Sequence, residues 1–317
     1  MGNILELREN YLEKKISKED YIAAAYECHK SLFEYSYLLS KGEISEIRIK
    51  NGLVEFYFEE FNLWVVAPPA QRRVAPIESL NFDAYERTET QIMDVFVKNS
   101  KVILDIGANI GYFSIRYARV NPNARVHAFE PVPATYEFLT TNISRNNLGL
   151  TVKPYCIGLS DQSGSFAFYT EPLNGTNASL LNVSNAENSK KVLSNTLTMD
   201  QFCFDRSIEP DFIKCDVEGA EFLVFKGGQS TLMQNTPIVF TELLRKWAKP
   251  FGYHPNDVIH FFEGLGYQCF GVFEDGCKAV KEVNDYSTET NYIFLSIEKH
   301  KTILSKLNDA GLLTKNG

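Results

Sequence analysis

Carboxylates gathered at the ends of two apolar runs carry most of the chemistry this sequence could do. Phe212-Ile213-Lys214-Cys215 is followed within six positions by Asp216, Glu218 and Glu221. Such a cluster repels itself unless a cation, Lys214, or shared protons relieve it. Asp216 falls at the expected strand tip and Glu218 opens the following helix. Glu221 lies in the first helical turn, where the helix dipole already favours an acid. Phe240-Thr241-Glu242 ends a later apolar run and brings another carboxylate to the same edge. His254, in Phe251-Gly252-Tyr253-His254-Pro255, lies in a turn, where a structural histidine is at least as well accounted for as a reactive one. Asp216, Glu218, Glu242 and His254 are therefore the candidate proton acceptors. Asp216, Glu218 and Glu242 are also the candidate ligands of a divalent cation such as magnesium, which prefers oxygen donors. The residues alone leave open whether a bare carboxylate or a bound cation does the work.

A second constellation precedes it. Val102-Ile103-Leu104-Asp105-Ile106-Gly107-Ala108-Asn109-Ile110-Gly111-Tyr112-Phe113 runs from a strand through two glycines into a helix. In a parallel sheet, ligands bind in the crevice beyond the strand carboxyl ends, and glycines let backbone approach them closely. A dinucleotide loop reads G-x-G-x-x-G so that a pyrophosphate can meet a helix N-terminus. Here Asn109 replaces the middle glycine, and Asp105 puts a carboxylate at the loop's mouth. An acid suits a cation better than a pyrophosphate, and S-adenosylmethionine carries an ammonium and a sulfonium but no phosphate. Val126-His127-Ala128-Phe129-Glu130-Pro131 then ends a second strand in an acid, 25 positions after Asp105. Glu130 at that tip can accept both ribose hydroxyls of an adenosine, and Pro131 stops the strand. Ser160 and Asp161, after a third strand, are candidates for the adenine amino edge, although Ser160-Asp161-Gln162-Ser163-Gly164 reads equally well as a plain turn.

Alternating elements must position these groups. Strands are expected at 102–104, 125–129, 151–157, 212–215, 238–241, 267–273 and 292–296, and helices at 112–120 and 135–146. This pattern is that of an α/β fold with a mostly parallel sheet covered by helices. The last two strands are too close for a helical crossover and form an antiparallel end. Residues 149–193, with Asn174-Gly175, read as a turn-rich excursion. Before residue 100 the chain reads as a helix over 17–39, capped by Ser17, and a meander of strands at 44–50, 53–58 and 62–66. Asn51-Gly52 supplies its first hairpin turn. Three regions follow: a helical and β-hairpin extension (1–80), a catalytic domain (81–298) and an amphipathic tail (299–317).

The two motifs, Leu104 to Phe113 and Ile213-Lys214-Cys215-Asp216-Val217-Glu218-Gly219-Ala220-Glu221, together resemble the FkbM family of S-adenosylmethionine-dependent methyltransferases. Phe129-Glu130-Pro131 and Phe225-Lys226-Gly227-Gly228 match as well, in the family's order, over roughly residues 80–297. The resemblance implies a Rossmann-like sheet of seven strands (the class I methyltransferase fold) and O-methylation, often of a sugar or polyketide hydroxyl. It places Asp105, Gly107, Asn109 and Gly111 along the methionine part of the cofactor, with Ala108, Tyr112 and Phe113 beside them. Glu130 and Pro131 fall at the ribose. Asp216 lies where cofactor and acceptor meet, and Glu86, after Tyr85, in a segment that closes over the cofactor. Cys215 departs from the family's usual aliphatic residue, which alters packing more than chemistry.

Composition narrows the rest. Forty acids against 32 lysines and arginines give a formal net charge of −8 in 317 residues, which disfavours nucleic acid as a partner. Six scattered cysteines without a C-x-x-C pair fit a reducing cytoplasm. The sequence holds no apolar run long enough to span a bilayer. The expected substrate is a small molecule or glycan, with polyketide or lipid-like acceptors as the alternative. A nicotinamide oxidoreductase is disfavoured by Asn109, and a non-catalytic cofactor-binding module by the intact acids at three strand ends. The aromatic-rich meander is a candidate surface for a homo-oligomer.

Overall fold

The computed structural model describes residues 3–69, 71–170, 179–181 and 189–314. A meander of β1 (Ile44–Lys50), β2 (Leu53–Phe58) and β3 (Leu63–Val66) precedes the central sheet. The central strands are β4 (Val102–Ile106), β5 (Arg125–Phe129) and β6 (Val152–Tyr155). After a side sheet of β7 (Gly158–Leu159), β8 (Gly164–Thr170) and β9 (Lys190–Leu197) come β10 (Phe212–Cys215), β11 (Ile238–Glu242), β12 (Gln268–Phe273), β13 (Gly276–Ala279) and β14 (Asn291–Leu295). The central order is β13-β12-β14-β11-β10-β4-β5-β6. The run from β11 to β6 is parallel, while β14, β12 and β13 pair antiparallel. The expected seven strands are present in the expected class of fold, and a short hairpin strand, β13, adds an eighth at the edge. Its turn was not anticipated because Gly276 lies at a φ of 130° in contact with the C-terminal segment at Leu312, a long-range packing requirement.

Alternation along the parallel strands sorts their side chains into two cores. Leu104, Ile106, Ile213 and Cys215 pack with the helices Met199–Arg206, Glu221–Lys226 and Pro255–Gly264. Ile103, Phe212 and Phe240 face the other way, toward Arg87–Val97, Tyr112–Val120 and the meander. By the same period of two, Asp105, Lys214 and Glu242 fall on this second face. Lys214 is paired in register with Asp105 on one side and Phe240 on the other.

The meander is joined to the domain by two asparagines. Asn142 and Asn146, one helical turn apart on and just after the helix Pro133–Arg145, stand in for a fourth strand beside β3. Val66 N–H donates to Asn142 Oδ1 (2.7 Å) and Trp64 N–H to Asn146 Oδ1 (2.9 Å). Their amide groups donate back to the Val66 and Trp64 carbonyls. The rise of four helical residues is close to that of two strand residues, so both amides meet alternate backbone groups. Asn142 Nδ2 also donates to Ile110 O in the glycine loop (2.8 Å), tying the meander to the carboxyl end of β4. On the meander's surface, buried Glu55 pairs with Arg48 and with Arg145 of the same helix.

Elsewhere local structure departs from the sequence reading in particular ways. The helix expected over 17–39 is two, Lys18–His29 and Ser31–Leu38, because the chain tightens from the Lys30–Tyr26 bond to a Phe33–Lys30 bond. Ser17 caps it as expected, accepting from Asp20 N–H. The excursion at 149–193 contains antiparallel β8 and β9 rather than turns alone. Asn174-Gly175 lies outside the described residues. The C-terminal tail is the helix Lys301–Asp309, burying Ile303 and Leu307. Among the described residues no helix is long and apolar enough to cross a membrane.

Replacing Asn142 with Leu leaves the Val66 N–H and the Val66 and Ile110 carbonyls without a partner in the interior. We expect a loss of at least about 2 kcal/mol in urea unfolding. Asn142→Asp, which keeps the acceptor, should lose less than Asn142→Leu.

Candidate active site

The chain order turns back at β4: it runs outward through β5 and β6, then returns to β10 on the other side. Beyond the carboxyl ends of β4, β5 and β10 lies a cavity of about 910 Å³, open to solvent. Sheets of this kind bind small molecules and cofactors at that position. Its floor is Ile106 to Ile110 with Tyr112 and Phe113. One wall is Phe129, Glu130, Pro131, Gly158, Leu159 and Phe168, and the other is Lys214, Asp216, Val217, Glu218 and Ala220. Arg73, Val74, Ala75 and Tyr85, from before the first central strand, and Leu180 complete it.

Glu130 is 4% exposed. Its Oε1 accepts from Val132 N–H (2.9 Å) and its Oε2 from Asn109 N–H (3.1 Å). Those two bonds fix the carboxylate's orientation and leave acceptor capacity for a ligand. Burial pushes Glu130 up to about 7 despite both bonds. The geometry of the Asn109 turn follows from its φ of 52°, a left-handed conformation that asparagine tolerates, with Asn109 Oδ1 accepting from Ile110 N–H.

Close packing is one reason for the two glycines. A Cβ on Gly107 would stand 1.8 Å from the Asp216 carbonyl oxygen, and one on Gly111 would stand 2.5 Å from Leu139 Cδ1. Both positions also have positive φ. Their missing side chains let β4, β10 and the helix Pro133–Arg145 close on one another. Gly107 lines the cavity and Gly111 does not.

Asp105 also differs. It is fully buried and does not line the cavity. The strand's alternation turns it into the core, where Ser114 Oγ donates to Oδ2 and Oδ1 has no hydrogen-bond partner. Burial pushes its carboxyl above the usual range, with neighbouring Lys214 opposing. Lys214, 4% exposed, extends from the same face to donate to Asp216 Oδ2 (3.0 Å), its ammonium 4.9 Å from the Phe113 ring centre.

The acids beyond β10 and β11 separate by environment. Asp216 lines the cavity, its side chain 34% exposed. Glu218 also lines it, from a left-handed backbone (φ 57°), with Oε2 buried and unpartnered. Burial, then the charges of Asp216 and Glu242, push Glu218 well above the ordinary carboxyl range. Glu242 is half-buried beside this group but is not part of the lining. Burial, followed by Asp216 and Glu86, pushes it up to about 9. Glu86, at the left-handed N-terminus of Arg87–Val97, rises to about 7 through burial, with Lys214 opposing. It too stands behind the lining, whereas its neighbour Tyr85 is in it.

Glu221 is a structural residue: Oε1 accepts from Val217 N–H and Gly219 N–H, and Oε2 from Tyr253 O–H (3.1 Å). It thereby fixes the Asp216–Gly219 turn, a stronger reason for its presence than the helix dipole. His254 is not at the site. Its Nδ1 caps the helix Pro255–Gly264, and its backbone N–H donates to Asp257. Pro255 demands a cap before it, which accounts for the histidine. Ser160 and Asp161 do not line the cavity either. The Ser160 backbone is packed against Gly227, its N–H donating to Leu197 O, and the lining there is Gly158 and Leu159. Among the described residues no group of three or more His, Cys, Asp or Glu side chains is placed to hold a metal ion. Residues that sequence reasoning passed over are Arg73, Val74, Ala75 and Phe168, which belong to the extension and the excursion.

Fold and site together define a doubly wound α/β protein with an acid-lined cavity at its switch point. The Methyltransferase FkbM domain model matches residues 105–269, and the chain belongs to that family. Hexuronic acid methyltransferase AglP of Haloferax volcanii is 33% identical over 145 residues, 45% of this chain and 55% of that one. The 2-O-methyltransferase NoeI of Sinorhizobium fredii is 29% identical over 174 residues, 49% of this chain and 68% of that one. The 31-O-demethyl-FK506 methyltransferase FkbM of Streptomyces tacrolimicus is 34% identical over 70 residues, 22% of this chain and 26% of that one. The chain thus spans about half the length of AglP and two thirds of NoeI.

Glu221, pushed up to about 7 by burial against its hydrogen bonds, gives a pH prediction. Between an unfolded value near 4.5 and about 7 the folded state holds a proton that the unfolded state has released. Stability therefore falls as pH rises through that window and levels off above it. Glu130 and Glu86 act in the same direction. Urea midpoints should drop from pH 5 to pH 8, and Glu221→Gln, whose amide can satisfy the same partners, should reduce that drop.

Proposed function

We propose that the chain is an S-adenosylmethionine-dependent O-methyltransferase acting on a hydroxyl of a sugar or glycan. The observation that carries this reading is Glu130, a buried carboxylate at the tip of β5, oriented by two backbone N–H groups while lining the cavity. That is the arrangement needed to accept paired ribose hydroxyls. When bound, the cofactor supplies an electrophilic methyl group on a sulfonium. The cationic donor suits a cavity whose lining includes Glu130, Asp216 and Glu218. The sugar acceptor is supported by the names of AglP and NoeI, and the polyketide alternative by that of FkbM.

The residues divide the remaining work. An acceptor oxygen must be aligned with the methyl carbon and lose its proton as the bond forms. Of the four candidate bases, His254 caps a helix, burial and neighbouring acids push Glu218 well above the ordinary carboxyl range, and Glu242 is pushed up to about 9 and does not line the cavity. Asp216 is left as the group to accept the hydroxyl proton, one oxygen bound to Lys214 and the carboxyl open to the cavity. Glu218, which lines the cavity with an Oε2 that has no partner among the described residues, can hydrogen-bond a neighbouring sugar hydroxyl and so orient the ring. If a divalent cation takes part, Asp216 and Glu218 are the cavity carboxylates available to it.

Adenosylhomocysteine should raise the melting temperature, and NADH should not. Glu130→Gln should weaken adenosylhomocysteine binding about tenfold or more by calorimetry. Asp216→Asn should keep binding within a few fold but reduce kcat on a glycan acceptor by about 10²-fold or more. Unchanged turnover in Asp216→Asn would remove it from the proton-accepting role.

A further inference from the structure

We propose that Arg73 is the carboxylate-binding group of the cavity, contributed by a segment outside the region that the family model matches. The inference rests on the methyl-donor reading above. The cavity has two cationic side chains in its lining, Arg73 and Lys214. Lys214 is buried and committed to Asp216 at 3.0 Å. Arg73 is exposed, and among the described residues it has no hydrogen bond or ion pair. An unpaired guanidinium on the rim of an acidic cavity, in an acidic protein, is unexplained by packing.

Its placement is fixed nevertheless. The next two residues, Val74 and Ala75, are 2% and 4% exposed and pack with Ala108, Ile110 and Tyr112. The strand before it is held through Asn142, whose amide also binds the Ile110 carbonyl. Arg73 is thus anchored beside the glycine loop rather than left on a free surface. The donor's amino-acid tail carries a carboxylate as well as an ammonium. The acidic side chains of the lining, Glu130, Asp216 and Glu218, give the carboxylate no favourable charge partner, and it needs a positive one in the same cavity. A guanidinium grips a carboxylate with two parallel hydrogen bonds. A uronic acid acceptor would present the same chemistry, and the anchoring to the glycine loop favours the donor.

Calorimetry on the full chain separates the sources. The ligands are adenosylhomocysteine and its decarboxylated counterpart, which keeps the nucleoside and the amine. Arg73→Gln should weaken adenosylhomocysteine 10- to 100-fold and leave the decarboxylated compound unchanged, with Arg73→Lys between. If adenosylhomocysteine affinity is unchanged, p-nitrophenyl glucuronide and p-nitrophenyl glucoside are titrated into the saturated protein. Selective loss of the glucuronide in Arg73→Gln then assigns the acceptor as the source. Equal weakening of both adenosyl compounds, or no change for any of the four probes, overturns the proposal. Wild-type protein that binds neither adenosyl compound overturns the donor reading itself, a different result.

Discussion

The site depends on one buried ammonium. Lys214 rises from the middle of the sheet between Asp105, its register neighbour, and Asp216, which it contacts directly. Glu86 and Glu242 add negative potential around it. Without a cation there, several acids in a shared low-dielectric space could not ionise together. Asp216 holds the direct contact with it, while burial and the neighbouring acids push Glu218 and Glu242 toward their neutral forms against the pull of Lys214. One direct ion pair and unequal burial thus set chemically similar side chains apart. Burial of a paired charge is costly, and the stability of the rest of the sheet has to carry it.

The fold was legible because strands and helices alternate with strong periodicity from residue 101, and the strand ends bear acids in a recognisable order. That Glu130, Asp216 and Glu218 would meet at one edge of the sheet was legible because residue type and strand position together define them. Asp105 was misplaced because a strand-tip acid can face either side, and the two-residue period had to be read against Ile103 and Ile106 to tell which. Gly107 and Gly111 were assigned to a ligand because glycine in a loop signals close approach without naming what approaches. In this protein it is the Asp216 carbonyl and Leu139. His254 shows the same ambiguity: a capping histidine and a reactive one look alike until the helix after Pro255 is seen.

The extension was the least readable part. Val74 and Ala75 carry no motif, Tyr85 was signalled only by the family resemblance, and the placement of the first two follows from where β3 is docked. That docking rests on asparagine amides about 80 residues further along, which no local pattern announces. The N-terminal region is consequently part of the site's architecture: its apolar residues share a core with the helix that follows the glycine loop.

This long-range clamp has a consequence for how the chain is made. On the ribosome the meander emerges well before Asn142 and Asn146, which lie 76 and 82 positions beyond their partners. Until they arrive, β3 has one unsatisfied backbone edge, the feature that recruits stray strands. Nascent chains stalled before residue 142 should therefore be the most prone to aggregate, and the most dependent on chaperones, of any stage in biosynthesis.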